Sequence, residues 1–180
     1  KNSGANPGDV VAIQGVGGLG HLAIQYAKRM GFKTVAISQS ADKKELALKL
    51  GAQVFIDTKS CDLVKELQKL GGAKVILATA PDNKAISQLI NGLGFDGKLV
   101  IVSGVNGPIQ VFGGQLLHGR RSIQGWVASS PNARKDTINF SLLSEVHPII
   151  ETFPLEDVKE AFDRMMNAKV RFRAVLTIGS

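Results

Sequence analysis

The chain has 180 residues, of which 44% are hydrophobic and 21% charged, a composition typical of a globular protein that fills one core. No apolar run approaches the roughly 20 residues that span a bilayer, and no signal peptide is visible, so neither a membrane protein nor a secreted protein is expected. The net charge is +7, but the Lys and Arg residues are scattered, and one Trp and one Tyr offer few rings to stack on bases. Nucleic acid is therefore not the expected partner, and a polyanionic cofactor or plain solubility explains the basic charge better.

The cysteine and histidine content argues against a disulfide or a metal site within the chain. Cys61 is the only cysteine, so no intrachain disulfide can form, and we expect a reducing, cytoplasmic compartment. The three histidines, His21, His118 and His147, lie far apart and lack the spacing of metal ligands. The chain begins at Lys1 rather than Met, and we expect it to be a piece of a longer protein.

The first element in chain order is an apolar run, Val10 to Ile13, of the kind that forms a buried parallel strand. A glycine cluster follows, and apolar residues at helical spacing then continue to Met30. In this strand–turn–helix context the pattern Gly-x-Gly-x-x-Gly indicates dinucleotide binding. Gly15 permits the tight turn, Gly17 lets a pyrophosphate approach the backbone, and Gly20 lets helix and strand pack closely.

Further apolar runs alternate with helical segments along the next hundred residues. Such alternation predicts right-handed βαβ units and a mostly parallel sheet. We therefore predict an α/β fold, namely a Rossmann doubly wound parallel sheet of six strands, within a dinucleotide-binding domain of residues 1–131. The remaining strands are predicted at 33–37, 54–56, 74–79, 98–102 and 122–125.

The residues after about 131 are surplus to this sheet. They predict a helix–strand–helix–strand extension, which we treat as a separate segment of residues 132–180. Its elements are expected at 131–144, 147–153, 155–166 and 172–178.

Cofactor preference is expected to be decided just after the second strand, about 20 residues beyond the glycines. An NAD site needs a carboxylate there, whereas this chain has Ser38. Ser40, Lys43 and Lys44 could contact a 2′-phosphate, which favours NADP over NAD. The alternative is an ordinary helix start with solvated lysines, in which Asp42 caps or lines the first turn.

Five segments give the chain a family resemblance that spans nearly all of its length. The segments are Gly-Val-Gly-Gly-Leu-Gly-His (15–21), Ala-Ile-Gln-Tyr-Ala-Lys-Arg-Met-Gly (23–31), Ala-Leu-Lys-Leu-Gly-Ala (47–52), Phe-Pro-Leu-Glu-Asp-Val-Lys-Glu-Ala-Phe (153–162) and Val-Arg-Phe-Arg-Ala-Val-Leu (170–176). With them the chain resembles the zinc-type alcohol dehydrogenases of the medium-chain dehydrogenase/reductase superfamily, and their microbial and cinnamyl-type members most. Quinone reductases of that superfamily carry an Ala-rich turn where this chain has Gly15-Val16-Gly17.

The resemblance implies a set of cofactor-binding residues and no catalytic residue in this chain. The bland alternative for the set is strand-end packing, a core indole and a surface cation. His21 is expected to begin a helix rather than to take part in catalysis. The implied contacts are Gly18, Leu19, Gly20 and Arg173 for the pyrophosphate, Thr79 and Ala80 for the adenosine half, Ser103 and Val105 for the nicotinamide ring, and Trp126 for its carboxamide.

Family members also carry an N-terminal catalytic domain with the zinc sites and the proton relay, which nothing here matches. The resemblance thus implies the NAD(P)-binding domain of an enzyme that interconverts primary alcohols and aldehydes, with zinc only in the absent domain and no activity in this chain alone. The alternatives are a non-catalytic dinucleotide-binding sensor and a zinc-free quinone or enoyl reductase of the same superfamily. Apolar residues of the extension are expected to be exposed, namely Ile149, Ile150, Phe153 and Phe172.

The segment from Pro108 to Phe112 alternates apolar and polar residues, which predicts an exposed edge strand. An edge without lysine invites pairing, and family dimers join two cofactor domains through this segment. We therefore expect a homodimer. The alternative is an ordinary loop with Phe112 folded inward.

Overall fold

The computed structural model describes residues 3–127 and 130–179, in which strands and helices alternate as the sequence predicts. The strands are β1 (Val10–Gln14), β2 (Lys33–Ser38), β3 (Val54–Asp57), β4 (Ala73–Ala78), β5 (Leu93–Ile101), β6 (Ser122–Gly125), β7 (Ile150–Pro154) and β8 (Arg173–Thr177). The helices are α1 (Gly20–Arg29), α2 (Lys44–Lys49), α3 (Leu63–Lys69), α4 (Asn83–Leu89), α5 (Gly113–Leu117), α6 (Pro131–Leu143) and α7 (Val158–Met166). Single 3₁₀ turns lead into α2 and α7 and extend α4, at Ala41–Lys43, Leu155–Asp157 and Ile90–Gly92 respectively.

The first six strands form one sheet in the order β3-β2-β1-β4-β5-β6, and every pair in it is parallel. The predicted six-stranded α/β fold is therefore confirmed. Successive residues of a strand point to opposite faces, and Ala12 belongs to one buried apolar cluster while Val11 and Ile13 belong to another. Both faces are thus covered, which explains why the strands read as continuous apolar runs. The chain reverses its strand order between β1 and β4, and this switch point opens a crevice at the carboxyl ends of the strands.

The extension has the predicted helix–strand–helix–strand order, and β7 and β8 form a separate two-stranded parallel sheet. It is held against α1 by polar side chains. Tyr26 and Ser141 join their hydroxyls at 2.6 Å, and the amide group of Gln25 both donates to the carbonyl of His147 at 2.9 Å and accepts from its N–H at 3.2 Å. One face of α1 therefore packs on the sheet and another holds the extension.

The prediction of an edge strand at 108–112 is wrong for the single chain, because this segment forms no strand and the edge strands of the sheet are β3 and β6. The segment instead lies alongside α4, and side chains of α4 form hydrogen bonds with its backbone. Asn83 Nδ2 donates to the carbonyl of Pro108 at 3.1 Å, and the N–H of Gln110 donates to Ser87 Oγ at 3.0 Å. The alternative is half right: the segment is an ordinary loop, but Phe112 does not fold inward, since its side chain is 73% exposed.

The strand β5 begins at Leu93, five residues earlier than the sequence predicts, and α4 accordingly ends at Leu89. Two glycines explain why β5 begins earlier than predicted. A Cβ atom at Gly97 would lie 2.9 Å from the carbonyl oxygen of Ala73, and one at Gly94 would lie 2.9 Å from that of Gly71. In the early part of β5 the backbone therefore runs close to that of Gly71 and Ala73. This part lacks the apolar run by which a buried strand is predicted from sequence.

The expected exposure of apolar residues in the extension is only partly correct. Ile150 is exposed, but Phe153 is 7% exposed and Phe172 packs on the ring of His21. The exposed apolar side chains lie elsewhere in the extension, mainly Leu142 and Leu143 of α6 and Val158, Phe162, Met165 and Met166 of α7. Within the described ranges, no helix is both long and apolar enough to cross a bilayer.

Candidate dinucleotide-binding site

The glycine turn between β1 and α1 brings backbone atoms closer than any side chain would allow. A Cβ atom at Gly20 would overlap the carbonyl oxygen of Gly15, and one at Gly15 would lie 2.8 Å from Thr79 Oγ1. Gly15 also has a φ of +96°, which other residues rarely adopt. The N–H of His21 donates to the carbonyl of Gly17 at 3.0 Å, so helical hydrogen bonding begins inside the turn. The close approach at Gly15 and Gly20 therefore shapes the turn, and the predicted contact of the Gly20 N–H with a ligand stays a prediction.

The same turn has an open side. Apart from its two chain neighbours, no described residue comes within 4 Å of a Cβ built on Gly17, and Leu19 at the tip is 45% exposed. The first N–H groups of a helix have no intrahelical acceptor, and the helix dipole places partial positive charge there. An anionic group such as a pyrophosphate fits this cradle.

Arg173, at the start of β8, lies beside the turn as the family resemblance implies. A Cβ atom on Gly18 would meet the Arg173 guanidinium carbon at 3.4 Å and the carbonyl oxygen of Phe172 at 3.3 Å. The extension therefore covers one side of the turn and adds a cation to it. Whether that cation binds a ligand stays a prediction.

Thr79 and Ala80, which follow β4, are fastened to the end of β1. Thr79 Oγ1 donates to the carbonyls of Gln14 at 2.9 Å and Gly15 at 3.2 Å. The N–H of Ala80 donates to Gln14 Oε1 at 3.2 Å, and Ser103 Oγ donates to the carbonyl of Ala80 at 3.3 Å. These bonds bring the ends of β1, β4 and β5 together at the crevice. The Thr79 hydroxyl is already committed to this framework.

The residues expected beside a nicotinamide ring follow the far strands of the sheet. Ser103 and Val105 come after β5, and Val105 packs partly against the core. Trp126 follows β6, and its backbone N–H donates to the carbonyl of Ile101 at 2.9 Å. Its side chain is not a core indole, because the residue is 40% exposed. They lie across the crevice from the end of β2, as a dinucleotide bound along the edge of the sheet requires.

The end of β2 carries the residues expected to decide cofactor preference. Ser38 is buried, and its Oγ accepts from the N–H of Ser40 at 3.2 Å. The Ser40 hydroxyl donates to the carboxylate of Asp42, which also pairs with Arg171 Nη2 at 3.1 Å. Both contacts, the hydroxyl first, hold the pKa of Asp42 below its usual range. Asp42 thus lines the turn as a paired anion.

Lys43 and Lys44 supply the positive charge that the sequence predicts beside this turn. Lys43 closes the 3₁₀ turn and is half-buried, whereas Lys44 begins α2 and is exposed. Both could swing toward a phosphate, since their side chains are long and flexible. A contact of either lysine with a 2′-phosphate stays a prediction.

His21 is a link that sequence reasoning missed. It is fully buried, and its ring stacks on Phe172 with centroids 4.7 Å apart. Nε2 lies 3.1 Å from the N–H of Ile149 and must accept from it, so the proton sits on Nδ1 and is donated to the carbonyl of Gly17 at 2.9 Å. Burial lowers the pKa of His21, and the nearby Arg173 adds to this while the bond to Gly17 opposes it. A neutral imidazole therefore joins the glycine turn to the extension.

Within residues 3–127 and 130–179, no group of three or more His, Cys, Asp or Glu side chains could hold a metal ion. Cys61 is half-buried and its Sγ lies 3.1 Å from the carbonyl oxygen of Asp57. These contacts give the thiol a place in local packing.

Residues 18–142 match the family described as zinc-binding dehydrogenase, which is more than half of the chain. The chain belongs to this family. The resemblance to zinc-type alcohol dehydrogenases of the medium-chain dehydrogenase/reductase superfamily is thereby confirmed.

Similar dehydrogenases are known from fungi, bacteria and archaea. The chain is 49% identical over 172 residues to alcohol dehydrogenase patD of Penicillium expansum, which covers 96% of the chain and 50% of that protein. It is 38% identical over 181 residues to an alcohol dehydrogenase of Geobacillus stearothermophilus, covering 99% of the chain and 53% of that protein. The alcohol dehydrogenase of Aeropyrum pernix superposes with a TM-score of 0.86 at 28% identity, over 96% of the chain and 51% of that structure. The chain thus spans about half the length of these relatives.

Two glycine substitutions should separate folding from binding in this dehydrogenase chain. Gly20→Ala should lower the free energy of unfolding by about 3 kcal/mol, because backbone must move to admit the methyl group. Gly17→Ala should change it by less than about 1 kcal/mol, since the added methyl group enters open space. It should nevertheless weaken dinucleotide binding about tenfold by filling the cradle. Urea unfolding and fluorescence titration measure the two effects, and wild-type affinity in Gly17→Ala would exclude the turn from the site.

Acidification should loosen the link through His21. The unfolded state binds a proton near pH 6.5 while the folded state resists it, so the free energy of unfolding should fall as the pH drops from 7 to 5.5. The slope cannot exceed about 1.4 kcal/mol per pH unit for one group. His21→Gln should flatten that slope, while His118 and His147 remain in both proteins as internal controls. Equal slopes in urea unfolding would show that His21 titrates alike in both states.

Proposed function

We propose that the chain is the NAD(P)-binding part of a zinc-dependent alcohol dehydrogenase. The observation that carries the proposal is the glycine turn at the switch point of the sheet, open at Gly17 and flanked by the guanidinium of Arg173. An anion cradle and a cation at one place match the pyrophosphate of a dinucleotide. The family assignment supports the same ligand.

In this proposal the chain binds and orients the cofactor. The N–H groups of Gly18, Leu19 and Gly20 and the Arg173 guanidinium hold the pyrophosphate. Thr79 and Ala80 border the adenosine half, and Ser103, Val105 and Trp126 border the nicotinamide ring and shield one of its faces from water. A bound nicotinamide supplies hydride acceptance and donation, while this chain supplies position and surroundings.

The other half of the enzyme would supply zinc, the remaining substrate pocket and the proton relay. Residues 1–131 would form the cofactor domain, and residues 132–180 would complete the catalytic domain. The apolar side chains Phe162, Met165 and Met166 support this division, because an exposed apolar helix face indicates a surface that another domain covers. The whole enzyme would interconvert primary alcohols and aldehydes, and this chain alone would bind cofactor without turnover. A cytoplasmic location stays a prediction.

The sensor and the zinc-free reductase are less well supported. A self-contained sensor would have no use for the exposed apolar face of α7. The alcohol dehydrogenases among the relatives favour the zinc-type enzyme over a quinone or enoyl reductase.

For cofactor preference we propose NADP over NAD. Ser38 leaves the end of β2 without a carboxylate, and Lys43, Lys44 and the Asp42-paired Arg171 place cations around the turn. NADPH should therefore bind more tightly than NADH, and its affinity should fall more steeply with salt because exposed ion contacts are screened. Ser38→Asp should reverse the order, and Ser38→Asn, which has the same shape without the charge, should not.

Fluorescence titration of NADPH and NADH with these three proteins tests the preference. Tighter NADH binding by the wild-type chain, or reversal by Ser38→Asn as well, would contradict it. Failure of both nucleotides to bind would contradict the proposed function itself.

We also propose a homodimer through the segment 108–112 and the neighbouring edge of the sheet. The support is the position of β6 at that edge and the exposure of Phe112 and of Leu117 in α5. A symmetric pairing through this edge closes on itself and stops at two copies. Val111 packs partly against the core, so Phe112 is the cleaner position to change.

Phe112→Lys should convert the dimer into a monomer, since it places charge on an apolar contact. Phe162→Lys on α7, an equally drastic change on another exposed ring, should leave the dimer intact. Sedimentation velocity at tens of micromolar measures both. A monomeric wild-type chain, or an unaffected Phe112→Lys variant, would count against this interface.

A further inference from the structure

Three consecutive residues of the extension cross the ligand-binding edge of the sheet. Arg171 pairs with Asp42 after β2 at 3.1 Å, Phe172 stacks on His21, and Arg173 lies against the glycine turn. Two guanidinium groups therefore lie at two different positions in the site. Arg173 is at the turn expected to hold the pyrophosphate, and Arg171 is at the turn expected to decide cofactor preference.

The backbone of Arg171 is anchored separately from its side chain. Its N–H donates to Glu151 Oε1 at 2.7 Å, and the other oxygen of Glu151 accepts from Arg164 Nη2 at 2.6 Å. This carboxylate, 28% exposed, fixes where the segment runs. The guanidinium itself is not needed for that anchor and extends to the opposite side, where it meets Asp42.

The charge of Asp42 is an obstacle to a 2′-phosphate. Its carboxylate lies on the turn after β2 beside Ser40, and a phosphate bound there would meet a like charge. Arg171 offsets that charge through one Nη2 contact. A guanidinium has five N–H donors in a planar fork, so donors remain for a second anion.

We propose that Arg171 determines nucleotide preference, by neutralising Asp42 and sharing its guanidinium with the 2′-phosphate of NADP(H). Preference is then set by two distant parts of the chain, the turn after β2 and the extension. This inference rests on the proposed function, because it assigns a residue to the same site. The competing explanation is that the pair of Arg171 and Asp42 only fastens the extension to the sheet.

The test compares Arg171→Gln with Arg164→Gln, which makes the same change in the same network but at the guanidinium that pairs with Glu151 and lies over Phe153. Dissociation constants for NADPH and NADH are measured by fluorescence titration at low and high salt. Arg171→Gln should weaken NADPH about tenfold, the usual worth of a charge-assisted hydrogen bond, and leave NADH within about twofold. It should also reduce the salt dependence of NADPH binding, whereas Arg164→Gln should leave the ratio of the two affinities unchanged.

Two further variants keep the result interpretable. Arg171→Lys retains the charge and should retain most of the discrimination, and Asp42→Asn removes the opposing charge and should tighten NADPH binding. Equal weakening of both nucleotides by Arg171→Gln, or an unchanged ratio, would overturn the proposal and leave Arg171 as an anchor. A wild-type chain that binds neither nucleotide would instead overturn the proposed function, and the role of Arg171 with it.

Discussion

A Cβ atom at position 20 would overlap the carbonyl oxygen of Gly15, so the first helix can leave the sheet at this point only because two glycines face each other. That contact brings the start of α1 to the end of β1 and points the positive end of its dipole into the crevice. It also keeps Thr79 Oγ1 within reach of the Gln14 and Gly15 carbonyls. Moving the helix outward by the width of a methyl group would disturb both the anion cradle and the hydrogen bonds of Thr79 at the end of β1.

The helix α1, which this contact positions, also binds the extension. Near its start, His21 binds both the glycine turn and Ile149. Farther along, Gln25 binds the segment between α6 and β7, and Tyr26 binds α6. The extension then returns over the sheet edge with Arg171 and Arg173. A site that looks local in sequence is therefore built from residues about 150 positions apart, and one ten-residue helix makes several of the hydrogen bonds that join them.

Much of the fold and the glycine turn could be predicted, because both are written in local patterns. Strands buried on two faces read as short apolar runs, and a glycine that admits no Cβ has no substitute. The long-range pairs could not be predicted, since nothing in the sequence near Asp42 indicates Arg171 as its partner, and nothing near His21 indicates Phe172. The segment 108–112 misled for a related reason. Its alternation is real, but it reflects side chains packing beside α4 rather than a strand in the sheet.

The paired hydrogen bonds between Gln25 and His147 have a consequence for how this chain can change in evolution. The side-chain amide mimics one rung of a β-ladder, so it recognises the backbone at one position and is indifferent to the side chain there. Substitution of His147 by any residue except proline, which has no N–H to donate, should thus be tolerated. Insertion or deletion of a single residue between α6 and β7 would shift the rung, and with it the register of everything that follows. The connection should therefore stay constant in length, while position 147 within it varies in composition.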